Sequence, residues 1–392
     1  MRDFVHCVPT RFVFGRGAEL KAGAQIRDFG GTKALILYGG GSAVRSGLLD
    51  RVQKALSDAG VEYVCLGGVQ PNPRDTLVYQ GIELARREGV DFILAVGGGS
   101  VIDTGKAVAH GVCYDGDFWD LWCGKAKSRA ALPVGVVLTM SAAGSESSNS
   151  CVITREATKT KRGLRSELNR PRFAIMNPEL PMTLPPYQIA SGATDILAHI
   201  MARYFTCESE VDLTDRLCEG AMTAVIRAAR IAVKHPDDYE AQAQLMWAST
   251  IAHNDTLGVG RVQDFGSHQI EHELSALYDV AHGAGLAVVF PAWMRYHMHR
   301  NVIRFAQFAV RVYGCEMNFE RPEETALRGI EAHEAFLREI GMPLTLKELG
   351  ARSEDIPALA AGTKKTNPDG TTGGVFHMTV QDIEAILRLA DR

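Results

Sequence analysis

Asp195 and His199 stand four residues apart, His268 and His272 repeat that spacing, and His282 follows in the same half of the chain. Four residues is about one helical turn, so each pair shares a helix face. A single histidine in a helical segment is ordinarily a hydrogen-bonded core residue. Two pairs of ligand-type residues at one spacing point instead to a metal site. Within one straight helix His282 would lie about 21 Å along the axis from His268, at ~1.5 Å per residue. Two ligands of one ion cannot be that far apart, so the chain must turn between them. Tyr278-Asp279 and Gly283 supply turn chemistry there, and His282 is expected to enter from a loop. Spacing alone leaves His268 and His272 indistinguishable as ligands. Three neutral imidazoles and a carboxylate suit a borderline divalent ion, Fe2+ or Zn2+. Such an ion can take a fifth partner, here a substrate oxygen.

A second chemistry is written in glycine. Gly97-Gly98-Gly99-Ser100 follows an apolar run and precedes a helical pattern. Without Cβ atoms the backbone N–H groups can approach a pyrophosphate, and the helix N-terminus favours an anion. Asp103, in the first turn, caps that helix or bonds to the ligand. The loop is not the standard dinucleotide pattern, because Ile102 stands where GxGxxG needs glycine. It is not a P-loop either, because Ala107 follows Gly105-Lys106 in place of Ser or Thr. Gly39-Gly40-Gly41-Ser42 is a second loop of this kind. No acidic residue lies between Tyr38 and Arg45 to hold a ribose 2′-hydroxyl and repel a 2′-phosphate. That favours NADP(H), with NAD(H) as the alternative.

These residues need a scaffold. Apolar runs at 34–38, 61–66, 92–96 and 133–138 alternate with helical periods at 48–59, 76–88 and 101–110. That alternation predicts a parallel sheet covered on both faces. After Pro185-Pro186 the strand signals fade, and 186–206, 212–233, 238–256, 264–278 and 284–299 read as helices. The expected fold class is therefore α/β followed by all-α. Residues 1–182 form a dinucleotide-binding domain and 183–392 a helical, metal-binding, catalytic domain.

Hydrophobic residues make up 46% and charged residues 22% of the 392, as in an ordinary globular protein. The net charge of -4, with no long Lys/Arg run, gives no nucleic-acid footprint. No apolar stretch approaches the length of a membrane span. The eight cysteines form no CxxC pair and read as reduced thiols. The first residues, Met1-Arg2-Asp3-Phe4-Val5-His6, contain no apolar leader core, so a cytoplasmic location is expected.

With these residues in view, the chain resembles the iron-dependent (group III) alcohol dehydrogenases, closest to the butanol dehydrogenase and NADPH-dependent aldehyde reductase branch. The resemblance is carried by Tyr38-Gly-Gly-Gly-Ser42, Gly97 through Lys106, Gly144-Ser-Glu146, Asp195-Ile-Leu-Ala-His199, and the stretch from His268 through His272-Glu-Leu274 to His282. It implies that Asp195, His199, His268 and His282 hold the metal, with His272 a neighbour in proton relay. It implies that Gly98, Gly99, Ser100 and Asp103 contact pyrophosphate and nicotinamide. Thr139, Ser141 and Ser145 would line the cofactor cleft, with Val152, Lys161 and Leu180 further along. It also implies a homodimer acting on a small alcohol or aldehyde. Ala143 stands where the family usually has Thr, and Met140 and Ser141 depart from its Thr-rich loop. Two rivals follow: a glycerol dehydrogenase or dehydroquinate-synthase-like enzyme on the same scaffold, and a nucleotide-binding protein without catalysis.

Overall fold

The computed structural model describes residues 1–392. They form two compact units, Cys7–Thr183, and Leu184–Arg392 joined by Met1–His6. Placing the first six residues with the helical unit departs from the sequence expectation. The reason is local: the Arg2 amide donates to the Gly260 carbonyl (2.9 Å), and its guanidinium pairs with Glu208.

The first unit holds strands β1 (Arg11–Phe14), β2 (Lys33–Gly39), β3 (Glu62–Val69), β4 (Phe92–Gly97), β5 (Val134–Leu138), β6 (Ser150–Arg155), β7 (Thr160–Arg165) and β8 (Phe173–Met176). Its helices are α1 (Ala22–Asp28), α2 (Ser42–Arg45), α3 (Leu48–Asp58), α4 (Asp75–Glu88), α5 (Gly99–Val112) and α6 (Trp119–Trp122). Six strands make one parallel sheet in the order β1-β8-β5-β4-β2-β3, and β6 and β7 form a separate antiparallel hairpin. Strands β4, β5 and β8 are buried along their whole length. Uninterrupted apolar runs such as Phe92-Ile-Leu-Ala-Val96 are what burial on both faces demands. On one face Ile36, Leu94 and Val96 pack with Ile26, Val52 and Leu56 of α1 and α3. On the other, Gly105 of α5 lies against Leu37, Ile93 and Ala95.

The strand order also locates the ligand end of the sheet. From β2 the chain moves outward to β3, whereas from β4 it moves the opposite way to β5. Neighbouring strands whose connections diverge open a crevice at their carboxyl ends, where ligands of such sheets bind. The loops at that point are Gly39–Ser42 and Gly97–Ser100, the two glycine runs.

The second unit is helical: α7 (Pro186–Tyr204), α8 (Asp212–Ala232), α9 (Tyr239–His253), α10 (Gly266–Tyr278), α11 (His282–His297), α12 (Val302–Tyr313), α13 (Pro322–Glu339), α14 (Leu346–Leu349), α15 (Ile356–Gly362) and α16 (Val380–Leu389). A single apolar core joins Ile196 and Ile200 of α7, Met222 and Val225 of α8, Ile270 and Leu274 of α10, and Phe290 and Trp293 of α11. No helix is long and apolar enough to cross a membrane.

Candidate metal centre and nucleotide loops

Helix α7 begins at Pro186, where proline's fixed φ suits a first helical residue. It carries Asp195 and His199 one turn apart and buried, with His199 Nε2 3.4 Å from Asp195 Oδ1. Helix α10 starts where Asp264 accepts the Gly266 amide with one carboxylate oxygen and the Val375 and Phe376 amides with the other. This pins the helix start and fixes the height of His268, which is buried, with its ring 4.7 Å from that of His199. The helix ends at Asp279, whose φ of 54° is left-handed, and its amide closes on Ser275 O. The turn required between His268 and His282 is thus at Tyr278-Asp279. His282, however, is the first residue of α11 rather than a loop residue. Gly283 explains how α11 comes so near: a Cβ there would sit 1.9 Å from Ser191 O on α7. That bare backbone contact lets His282 Nε2 lie 3.9 Å from Asp195 Oδ1.

The result is a convergent donor set. One ligand-type atom each from Asp195, His268 and His282 falls within 4.8 Å of the others. His199 reaches the same carboxylate from the neighbouring turn. His272 points to a different place. Its ring lies 5.5 Å from that of His282, and it groups with Glu271 and His282 rather than with Asp195. Spacing left His268 and His272 equivalent; geometry separates them. Burial, then the nearby rings of His253 and His268, hold the His199 imidazole well below its usual pKa. It is therefore neutral, the form in which an imidazole binds a metal.

Two residues here escaped the sequence reading. His253, at the end of α9, stacks on His199 with ring centroids 4.1 Å apart. It lies on another helix, so no spacing announced it. Glu271 is fully buried, and its carboxylate takes His282 Nδ1 and the Ser275 hydroxyl. The pattern His268-Gln-Ile-Glu271 placed it on the same face, a legible signal.

The residues expected to hold the nucleotide all belong to the α/β unit. Gly98 is extended, and α5 starts at Gly99. A Cβ on Gly98 would touch Met140 at 3.3 Å, whereas one on Gly99 would meet nothing within 4 Å. Open space over a helix N-terminus is where an anion can sit. Ser100 is half-buried in the same turn. Gly39 ends β2, Gly40 is exposed, Gly41 has a φ of 129°, and Ser42 opens α2 on the surface. Asp103 serves inside the fold: it accepts the Ser145 hydroxyl (2.5 Å) and the Val152 amide (2.8 Å). Burial raises its carboxyl, and Lys106 opposes that rise. Lys106 is itself buried and donates to Ser145 Oγ and to the carbonyls of Ser148 and Ser150. The Thr139 amide donates to Gly97 O, which fixes the loop that carries buried Ser141 and Ser145. Lys161 on β7 donates to Asn72 Oδ1 at 3.0 Å. Leu180 packs partly buried against the sheet core.

The chain matches the family model of iron-containing alcohol dehydrogenases over residues 9–178, and that of their C-terminal domain over residues 189–390. It is 38% identical over 388 residues to a probable NADH-dependent butanol dehydrogenase 1 of Bacillus subtilis, covering 99% of each chain. To the NADPH-dependent aldehyde reductase YqhD of Escherichia coli it is 36% identical over 375 residues, 95% of each. Among solved structures, NADH-dependent butanol dehydrogenase A of Thermotoga maritima superposes with a TM-score of 0.97 at 41% identity, over 100% of this chain and 99% of that one.

Proposed function

The chain belongs to the iron-containing alcohol dehydrogenase family, and on that premise we propose that it interconverts small primary alcohols and aldehydes of the butanol type at a metal held by Asp195, His199, His268 and His282. One observation carries the assignment: a buried carboxylate and imidazoles from three helices converge on one point. The donor set fits a divalent ion, with Fe2+ and Zn2+ both suited. When bound, the ion supplies Lewis acidity toward a substrate oxygen, and a nicotinamide supplies the hydride chemistry.

The remaining work falls to this chain's own groups. Asp195 contributes the one negative charge among the four donors. His199, His268 and His282 contribute neutral nitrogen and fix direction. His272, half-buried beside His282, accepts the proton released from an alcohol and returns it in aldehyde reduction. The α5 amides from Gly99 onward bind pyrophosphate, and Ser100 steadies it. Thr139, Ser141 and Ser145 line the cofactor cleft, with Val152, Lys161 and Leu180 further along it.

The finer cofactor choice is NADP(H). No acidic residue guards the Gly39–Ser42 loop, and Arg45 Nη1 lies 2.9 Å from where a Gly41 Cβ would be, a cation beside that loop. The named relatives include NADH- and NADPH-dependent enzymes, so the choice needs measurement. NADPH and NADH oxidation with butanal, after loading with iron or zinc, is the test. NADPH is expected to be preferred in kcat/KM; a tenfold preference for NADH would refute the cofactor reading. Absence of net nicotinamide oxidation with any aldehyde would refute the dehydrogenase reading itself. We propose a homodimer as the working form.

A further inference from the structure

We infer that Glu271 is the positioning residue of the metal centre: it fixes the tautomer and direction of His282 from behind, and a glycine on the helix of His282 makes the room for it. The inference rests on the ligand set proposed above.

Glu271 lies in α10 between His268 and His272 and is fully buried. One of its oxygens takes His282 Nδ1 and the other takes the hydroxyl of Ser275, one turn further along. The Ser275 hydroxyl, whose one proton goes to Glu271, also lies 3.2 Å from the Val280 carbonyl at the inter-helix turn. The two nitrogens of His282 face opposite ways: Nδ1 toward Glu271, Nε2 toward Asp195 Oδ1 at 3.9 Å. A neutral imidazole has one N–H and one lone pair. With the N–H committed to Glu271, the lone pair must be on Nε2, where the other donors converge. A carboxylate behind a ligating histidine fixes the ring and strengthens it as a donor.

Donor atoms of Glu271, His272 and His282 also fall within 4.8 Å of one another. Both Glu271 oxygens are already engaged, one by His282 Nδ1 and the other by the Ser275 hydroxyl. Its burial beside His282 thus points to support rather than ligation. Charge agrees: a divalent cation with Asp195 and Glu271 sums to zero, which suits a buried cluster.

Gly285 is the independent observation. A Cβ at this position would lie 2.5 Å from Glu271 Oε1, 2.7 Å from its Cγ and 3.0 Å from its Cδ. Helix α11 therefore presents His282 to the carboxylate and, less than one turn later, a bare backbone that leaves space for it. A methyl group at 285 would crowd the Glu271 side chain, Oε1 first, and so disturb its hold on Ser275 and His282 without removing a polar group.

The test is metal release from purified holoenzyme to 4-(2-pyridylazo)resorcinol, with elemental analysis and thermal unfolding in parallel. Wild type, Glu271→Gln, Gly285→Ala and the double variant are compared. Gly329→Ala serves as the packing control, since a Cβ there would lie 2.4 Å from Ala309 Cβ in the α12–α13 pair. Glu271→Gln and Gly285→Ala should each release metal about 10–100-fold faster than wild type. The double variant should be no worse than the worse single one, because both changes break one contact. Gly329→Ala should lose thermal stability and keep wild-type release. Release within twofold of wild type in either Glu271→Gln or Gly285→Ala overturns the inference, as does equally fast release from the control. Should Glu271→Gln fail to fold, Gly285→Ala, which keeps every polar group, decides alone. Wild type that takes up no ion refutes the ligand set instead, whatever the variants do.

Discussion

The two candidate sites are built from opposite parts of the peptide. In the helical unit the site is made of side chains: Asp195 of α7, His268 of α10 and His282, the first residue of α11, bring donor atoms together, and His199 lies one turn from Asp195 with Nε2 3.4 Å from its Oδ1. In the α/β unit it is made of backbone: Gly98 and Gly99 leave amides bare at the start of α5, and the loops stand at the ends of adjacent strands β2 and β4. A site of side chains depends on helix packing for its geometry and on chemical identity at each position. A site of backbone depends on the absence of side chains and tolerates variety around it. That contrast predicts different responses to mutation.

The largest effect is expected in the helical unit. Asp195→Ala removes the one charged donor and should abolish metal retention, with activity down at least about 1,000-fold, ~4 kcal/mol of barrier. Elemental analysis beside a butanal assay checks it; full metal content in a folded variant would break the ligand assignment. His272→Ala comes next. It should keep the metal and lower kcat by about 10–100-fold, the range of a lost proton-transfer group partly replaced by water. Metal loss in that variant would make His272 a ligand and erase the distinction from His268. The smallest effect belongs to the backbone site. Gly99→Val adds a side chain into open space, so unfolding should be unchanged while KM for NADPH rises about tenfold, ~1.4 kcal/mol. Unchanged KM would mean that the pyrophosphate does not lie over Gly99.

The same contrast decides what could be read from sequence. Glycine runs after apolar strands announce a backbone site directly, because Gly97-Gly98-Gly99 and Gly39-Gly40-Gly41 fall at the ends of elements, where bare backbone is exposed to a ligand rather than packed. The central strands β2, β4 and β5 were legible for a related reason: burial on both faces demands unbroken apolar runs. Edge strand β1, with its outer residues exposed, carries no such run, and β8 is apolar throughout but only four residues long. The polar β6–β7 hairpin was invisible as well. Side-chain sites are legible only within one helix. Spacing paired Asp195 with His199 but could not choose between His268 and His272. It required a turn before His282, yet did not show that His282 opens α11. Contacts between helices left no spacing at all, which is why His253 beside His199 went unseen. Asp103, in the first turn of the helix after the glycines, also bonds to Ser145 and the Val152 amide, contacts between distant segments that spacing could not show.

The proposed metal centre is three imidazoles and one carboxylate sharing an ion. X-ray absorption at the metal edge of the iron- or zinc-loaded enzyme counts those donors directly. The predicted spectrum has three imidazole shells and oxygen, with nitrogen at about 2.0–2.1 Å for zinc, and it is unchanged in His272→Ala. Two imidazoles, or a sulfur from any cysteine, would contradict the account.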